Sequence, residues 1–278
     1  MKFVSGAFLS VSVLAVFLAA VPLRAEDAPA PASPAQASPA TAPTPAPAPA
    51  ACEVPDYLLS GDNALPKVTE AIKAARPLNI LVVGSRSSTI NVGGAAASEA
   101  AAYPGQMLAA LKGKLPAVEV NLSVEIQAKK TAEDIAGGLG KLVESKKPTL
   151  VIWQTGTVDA MRSVDPDDFR TAVAEGVVAS KEAGADVVLV NPQYSPRTES
   201  MISASPYLDN MRVVAQEQEV PLFDRFALMK TWSESGEFDL FTAVHGAELA
   251  KRVHNCLGRA LSQFILAAAQ PKPALENN

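Results

Sequence analysis

The stretch 79-NILVVGSRSST-89 decides how this chain folds. Asn79–Gly84 is an almost unbroken apolar run, the pattern of a strand covered on both faces. It passes directly into a turn of small hydroxyls, Ser85, Ser87, Ser88 and Thr89, with Arg86 among them. Four more short β-branched or apolar runs follow: Val118–Ile126, Thr149–Thr155, Asp186–Asn191 and Val220–Phe223. Between them, apolar residues recur at helical spacing over Tyr103–Lys114, Thr131–Lys146, Pro166–Ala183 and Pro206–Glu217, with a last segment from Ala247 to Ala269. Strand and helix alternating in this way predict a parallel sheet of about five strands between helical layers, a three-layer α/β/α sandwich. In such sheets the ligand site lies beyond the carboxyl ends of the strands, so chemistry is expected just after Val83, Ile126, Trp153 and Val190. Asp186 precedes its strand and falls at the opposite end. The Gly93–Gly94 pair and the alanines after it read as a flexible loop.

The ends of the chain are of another kind. Residues 1–25 carry only Lys2 and Arg24 around an apolar run from Ala7 to Val21, and close on Ala25. This is the pattern of an export signal, and the run is shorter than the roughly 20 residues a spanning helix needs. Cleavage after Ala25 takes the charged residues from 24 basic and 29 acidic to 22 and 29, a net charge of −7. That sign, without a basic cluster in the sequence, disfavours nucleic acid and anionic lipid as partners. Eight of the 26 residues from 26 to 51 are proline, interleaved with alanine. Such a segment is either an extended tether that spaces the domain from an envelope surface or a disordered leader. Residues 52–270 then form one domain, followed by a tail at 271–278. The expected location is periplasmic or secreted, with no transmembrane segment left after processing.

The two cysteines, Cys52 and Cys256, sit at the start of the domain and in its last helix. In an oxidising compartment a lone pair of thiols is expected to be bonded, so a structural disulfide is predicted. Too few ligands accompany them for a zinc site.

The turn after the first strand could expose a serine nucleophile or hold a phosphate on backbone amides. The chain has neither a dinucleotide fingerprint nor a Gly-Lys-Ser/Thr loop, which argues against a nucleotide. Read together, SRSST at 85–89, Tyr103–Pro104 with the helix after it, VIWQTGTVD at 151–159 and NPQYSP at 191–196 with the region from Asp239 to Leu257 resemble the SGNH/GDSL hydrolase superfamily in its exported bacterial branch. That resemblance implies a flavodoxin-like sandwich and serine-dependent cleavage of an acyl ester. It places the nucleophile at Ser87, with Ser85 as the alternative, the proton acceptor at His245 and its orienting carboxylate at Asp239. Gly156, Thr157, Gln127 and Gln154 are the candidates for holding the oxyanion or substrate. His254, beside Cys256, reads as a packed helical residue.

The sequence also departs from the family pattern. Val158 stands where the family places an oxyanion-binding asparagine, and the second strand is followed by Gln127, Ala128, Lys129 and Lys130 rather than by glycine. Removal of one such donor typically slows turnover about 100–1000-fold. The Asp-x-x-His block is absent, since Asp239 and His245 are six apart. Two functions therefore stand open. One is an exported ester hydrolase acting on a small-molecule or carbohydrate ester, with an acyl or acetyl group on an envelope carbohydrate as the expected substrate. The other is a degenerate member that binds a glycan or a partner protein without turnover. Neither calls for a metal or an organic cofactor.

Overall fold

A computed structural model describes residues 52–61, 63–241 and 246–270. The expected export signal at 1–25, the proline-rich segment at 26–51, His245 and the tail at 271–278 lie outside the described residues. Five strands, β1 (Leu78–Gly84), β2 (Val120–Ile126), β3 (Leu150–Gln154), β4 (Asp186–Val190) and β5 (Leu222–Phe223), form one parallel sheet in the order β2-β1-β3-β4-β5. The helices are α1 (Asp56–Leu59), α2 (Pro66–Lys73), α3 (Ala95–Ala101), α4 (Tyr103–Lys114), α5 (Ala132–Lys146), α6 (Thr157–Arg162), α7 (Pro166–Glu182), α8 (Pro196–Met201), α9 (Ser205–Glu217), α10 (Arg225–Glu234) and α11 (Gly246–Ala268).

Alternation along the strands builds two cores. Ile80 and Val82 of β1, with Ile152 and Val188, face α4 and α11 through Met107, Leu111, Leu257 and Phe264. Leu81 and Val83, with Val151, Trp153 and Leu189, face α5, α7 and α9 through Leu139, Phe169, Val173 and Met211. Burial on both faces explains why the middles of the central strands are apolar, with polar residues confined to their ends. The expected three-layer sandwich is present. Among the described residues no helix is long and apolar enough to cross a membrane.

One segment differs from its expectation. The alanines after Gly94 form α3 rather than a loop. Alanine has the highest intrinsic helix propensity, and α3 leads directly into α4, so no amphipathic stripe is needed.

The register sets the site. Gly84 pairs with Ile126, Val83 with Trp153, Gln154 with Val190, and Val190 with Phe223, so all five strands end on one rim. Asp186, at the other rim, accepts hydrogen bonds from the Lys67 and Val68 amides at 2.8 and 3.0 Å and so anchors the first turn of α2. Cys52 and Cys256 form a disulfide, with Cα atoms 5.1 Å apart, that ties the start of the described domain to α11. Farther along α11, a Cβ on Gly258 would lie 2.6 Å from the Met107 nitrogen and 2.7 Å from the Tyr103 oxygen. Only glycine lets α11 approach α4 so closely. That approach brings His254, one turn earlier, onto the Tyr103 amide.

Candidate active site

Ser85 follows β1 in extended conformation, and Arg86–Ser88 form a single tight helical turn after it. This turn forms part of the lining of a cleft of about 910 Å³ on the carboxyl rim of the sheet. The far side of the cleft comes from Thr157, Val158 and Arg162 of α6 and from the start of α11.

Gln154, the last residue of β3, organises the floor. Its Nε2 donates to Ser85 Oγ at 2.9 Å and to Ser87 Oγ at 2.7 Å. Its Oε1 accepts from the Ser88 hydroxyl, from Tyr103 Oη at 3.2 Å and from Arg225 Nη1 at 3.0 Å. Because guanidinium can only donate, Arg225 fixes which way the amide faces. Ser88 is therefore buried under the turn, whereas Ser85 and Ser87 line the cleft.

Arg225 is the residue that sequence reading missed. It is 1 % exposed and donates through Nη1 to Ser87 Oγ at 3.2 Å. Nη2 donates to the Ser87 carbonyl at 3.0 Å and to Gln193 Oε1 at 3.1 Å. Among the described residues all its acceptors are neutral, and its Nε has no hydrogen-bond partner. The guanidinium also lies over the Tyr103 ring, 5.3 Å from its centroid. Burial lowers its pKa to about 10, which leaves it charged at neutral pH. Its position is secured by the cap of α10. Asp224 Oδ1 accepts from the Asn191 side chain at 2.7 Å and from the Ala227 amide at 2.9 Å, while Asn191 Oδ1 accepts from the Phe226 amide at 2.9 Å. Asn191, in the NPQYSP block, thus holds the arginine indirectly. The available sequence signal was Asp-Arg immediately after the last short strand.

His254 also lines the cleft, but its Nδ1 accepts the Tyr103 amide hydrogen at 2.9 Å. Burial, then the nearby Arg225 charge, lowers its pKa to about 3. The ring is neutral, and its one proton must sit on Nε2. His254 is thus a donor and not a proton acceptor.

The remaining predicted residues separate. Gly156 takes φ +92° in the turn from β3 into α6, a backbone that suits glycine. Thr157 lines the cleft, and its buried hydroxyl has no hydrogen-bond partner among the described residues. Gln127 does not line the cleft; its amide donates to the Gly84 carbonyl at 2.8 Å and closes the end of β1. Lys129, two residues on, lines the cleft with φ +62°, so a lysine holds a left-handed backbone of the kind that glycine adopts readily. Asp239 is exposed, lies outside the cleft lining and accepts the Phe241 amide at 3.0 Å. His245 is not described, but its neighbour Gly246 lines the cleft. Asp159 is buried and accepts the Ala132 amide at 2.8 Å, which ties α6 to the start of α5, and desolvation raises its pKa. Among the described residues, no three His, Cys, Asp or Glu side chains converge as metal ligands.

Comparison with known proteins agrees with this architecture. The chain is similar in fold to a variant of Axe2, an acetyl xylan esterase from Geobacillus stearothermophilus, at 17% identity and TM-score 0.55, covering 67% of this chain and 93% of that one. It is likewise similar to LAE5, an alpha/beta hydrolase enzyme from the metagenome of Lake Arreo, Spain, at 19% identity and TM-score 0.54, covering 70% and 98%. No curated protein matches the chain. The model of the non-GDSL lipase-like family matches residues 51–271. With most of its length matched and the esterase-like parallel sheet in place, the chain belongs to the non-GDSL lipase-like family, within the SGNH/GDSL hydrolase superfamily.

Proposed function

We propose that this protein is an exported ester hydrolase in which Ser87 is the nucleophile. One observation carries the reading. Ser87 Oγ sits in the cleft beside a buried guanidinium that no carboxylate neutralises among the described residues. A unit charge at hydrogen-bond distance, at an effective dielectric near 20, favours the serine alkoxide by a few kcal/mol. Deprotonation of Ser87 is therefore easier than for an ordinary serine, and His245 is assigned the proton. Its neighbour Gly246 lines the cleft, and a base must come within about 3 Å of Oγ or act through one water.

The attacked carbonyl carbon bonds to Ser87 Oγ as the proton passes to His245. The alcohol then leaves with that proton, and water hydrolyses the acyl-enzyme by the reverse sequence. In this reading the amides of the Ser85–Ser88 turn and of Gly156 hold the oxyanion. Ser85 stays hydrogen-bonded to Gln154 and is the alternative nucleophile. Asp239, six residues before His245, is assigned as the carboxylate that orients it.

The substrate assigned is an acyl or acetyl ester on a carbohydrate of the cell envelope. Support comes from the open cleft and from the acetyl xylan esterase that shares the fold. Export rests on the signal at 1–25, and the Cys52–Cys256 bridge suits an oxidising compartment. The segment 26–51 is assigned as the tether that carries domain 52–270 away from the envelope surface.

A second reading, ligand binding without turnover, has its own observation. Val158 offers no donor in the cleft, and both lone pairs of Ser87 Oγ already receive hydrogen bonds, from Gln154 and Arg225. Hydrolysis of p-nitrophenyl acetate separates the two. The hydrolase reading expects turnover in the wild type and none in Ser87→Ala. Equal rates in both, or none in either, favour the binding reading.

A further inference from the structure

The whole chain carries a net charge of −5, yet the cleft is lined by Arg86, Lys129 and Arg162 and by no carboxylate among the described residues. None of these three cations takes part in an ion pair among the described residues. A charge on a protein surface is ordinarily balanced by mixed neighbours, and a cleft of one sign concentrates ligands of the other.

The placement of two of them is set by the fold. Asp159 of α6 binds the Ala132 amide at the start of α5, so those two elements are joined at one wall of the cleft. Lys129 stands three residues before this tie and Arg162 three residues after it. Asp134, whose carboxylate interacts electrostatically with Arg162, is committed to the Thr131 amide at 3.1 Å in the capping box of α5. Lys129 moreover keeps a left-handed backbone that costs a non-glycine residue about 1 kcal/mol, at a position exposed to solvent. One observation independent of the rim points the same way. The buried Arg225 behind Ser87 has only neutral acceptors among the described residues, so its positive charge adds to the field of the cleft.

We propose that the carbohydrate bound in this cleft is acidic, and that its carboxylate or phosphate group is held between Lys129 and Arg162. This deepens the hydrolase reading by naming the charge of its substrate, and it rests on that reading for the cleft as the ligand site. A neutral sugar ester would gain nothing from the cationic wall. Gln193, which also lines the cleft, remains as a partner for sugar hydroxyls.

The test is titration calorimetry on the mature protein with trigalacturonate, glucose 6-phosphate and neutral xylotriose, alongside p-nitrophenyl acetate turnover. The expected result is at least one acidic sugar bound about tenfold more tightly than xylotriose at low salt, with that preference falling steeply as salt rises. Tight binding of trigalacturonate assigns carboxylate, and of glucose 6-phosphate phosphate. Lys129→Asn, whose new side chain tolerates the left-handed backbone, combined with Arg162→Gln should remove most of the preference, and Lys129→Arg with Arg162→Lys should retain it. Xylotriose binding as tightly as the acidic sugars, failure of both acidic sugars to bind, or an unchanged preference in the neutralised variant overturns the proposal. Turnover of the neutral p-nitrophenyl ester with any of those results leaves the hydrolase reading standing alone. Acid-selective binding without turnover does the reverse.

Discussion

Arg225 Nη1 lies 3.2 Å from Ser87 Oγ, and the same guanidinium holds the Ser87 carbonyl and the Gln154 amide oxygen. A fixed positive charge therefore supports the serine turn from beneath. It is delivered by α10, an element that begins about 140 residues after the turn it supports. The active-site floor and the packing of β5 onto the sheet are one arrangement.

Arg225→Lys tests that arrangement. Lysine keeps the charge but lacks the planar fork that reaches Gln193 and Ser87 together. Lost charged hydrogen bonds and the acceptors left without donors should lower stability by about 1–3 kcal/mol. Reaction of Ser87 should slow by about tenfold or more, since a few kcal/mol of alkoxide stabilisation is at stake. Urea unfolding and labelling rates measured on the same preparations check both effects.

His254 gives a pH signature. Its folded pKa of about 3 lies below the ordinary 6.5, so the unfolded chain binds the extra proton between those values. Stability is full above pH 6.5 and falls as the pH drops toward 3, by up to a few kcal/mol from this group alone. His254→Asn retains an acceptor for the Tyr103 amide and cannot titrate. Asp159 and Asp186, whose pKa values burial raises, act in the opposite sense in both proteins. The difference in unfolding free energy between wild type and His254→Asn should therefore shift with pH in favour of the variant between pH 6.5 and 4. A constant difference over that range would contradict a buried neutral histidine.

The Cys52–Cys256 bridge spans 204 residues of chain. Closing so long a loop restricts the unfolded ensemble, and removal of such a bridge typically costs about 2–5 kcal/mol. For a domain of this size the thermal midpoint should fall by about 5–15 °C on reduction or in Cys52→Ser with Cys256→Ser. Differential scanning calorimetry with and without reductant measures it. Turnover at low temperature should persist, because neither cysteine lines the cleft.

The sheet was legible because its central strands are apolar on both faces, which leaves an unbroken signature at Asn79–Gly84 and Asp186–Val190. The place of the cleft followed from strand polarity alone. The helix α3 was not legible, since Ala95–Ala101 carries no apolar stripe. Arg225 was hidden for a different reason. β5 is only two residues long, and nothing local marks the arginine after it as buried. Its acceptors, Ser87, Gln154 and Gln193, come from three other strand ends that meet only when the sheet forms. His254 illustrates the limit of residue type as a guide. It lines the cleft as a catalytic histidine would, yet one backbone hydrogen bond from Tyr103 makes it a donor. Gln127 was read as a candidate for holding the oxyanion or substrate, and its amide donates to the Gly84 carbonyl.

The central claim is that Ser87 is a nucleophile, and labelling with a fluorophosphonate probe tests it most directly. Intact mass after reaction at mildly alkaline pH should show a single adduct on the wild type and on Ser85→Ala, and none on Ser87→Ala. Peptide mapping should place that adduct on Ser87. An unlabelled wild type, or equal labelling of wild type and Ser87→Ala, would contradict the account.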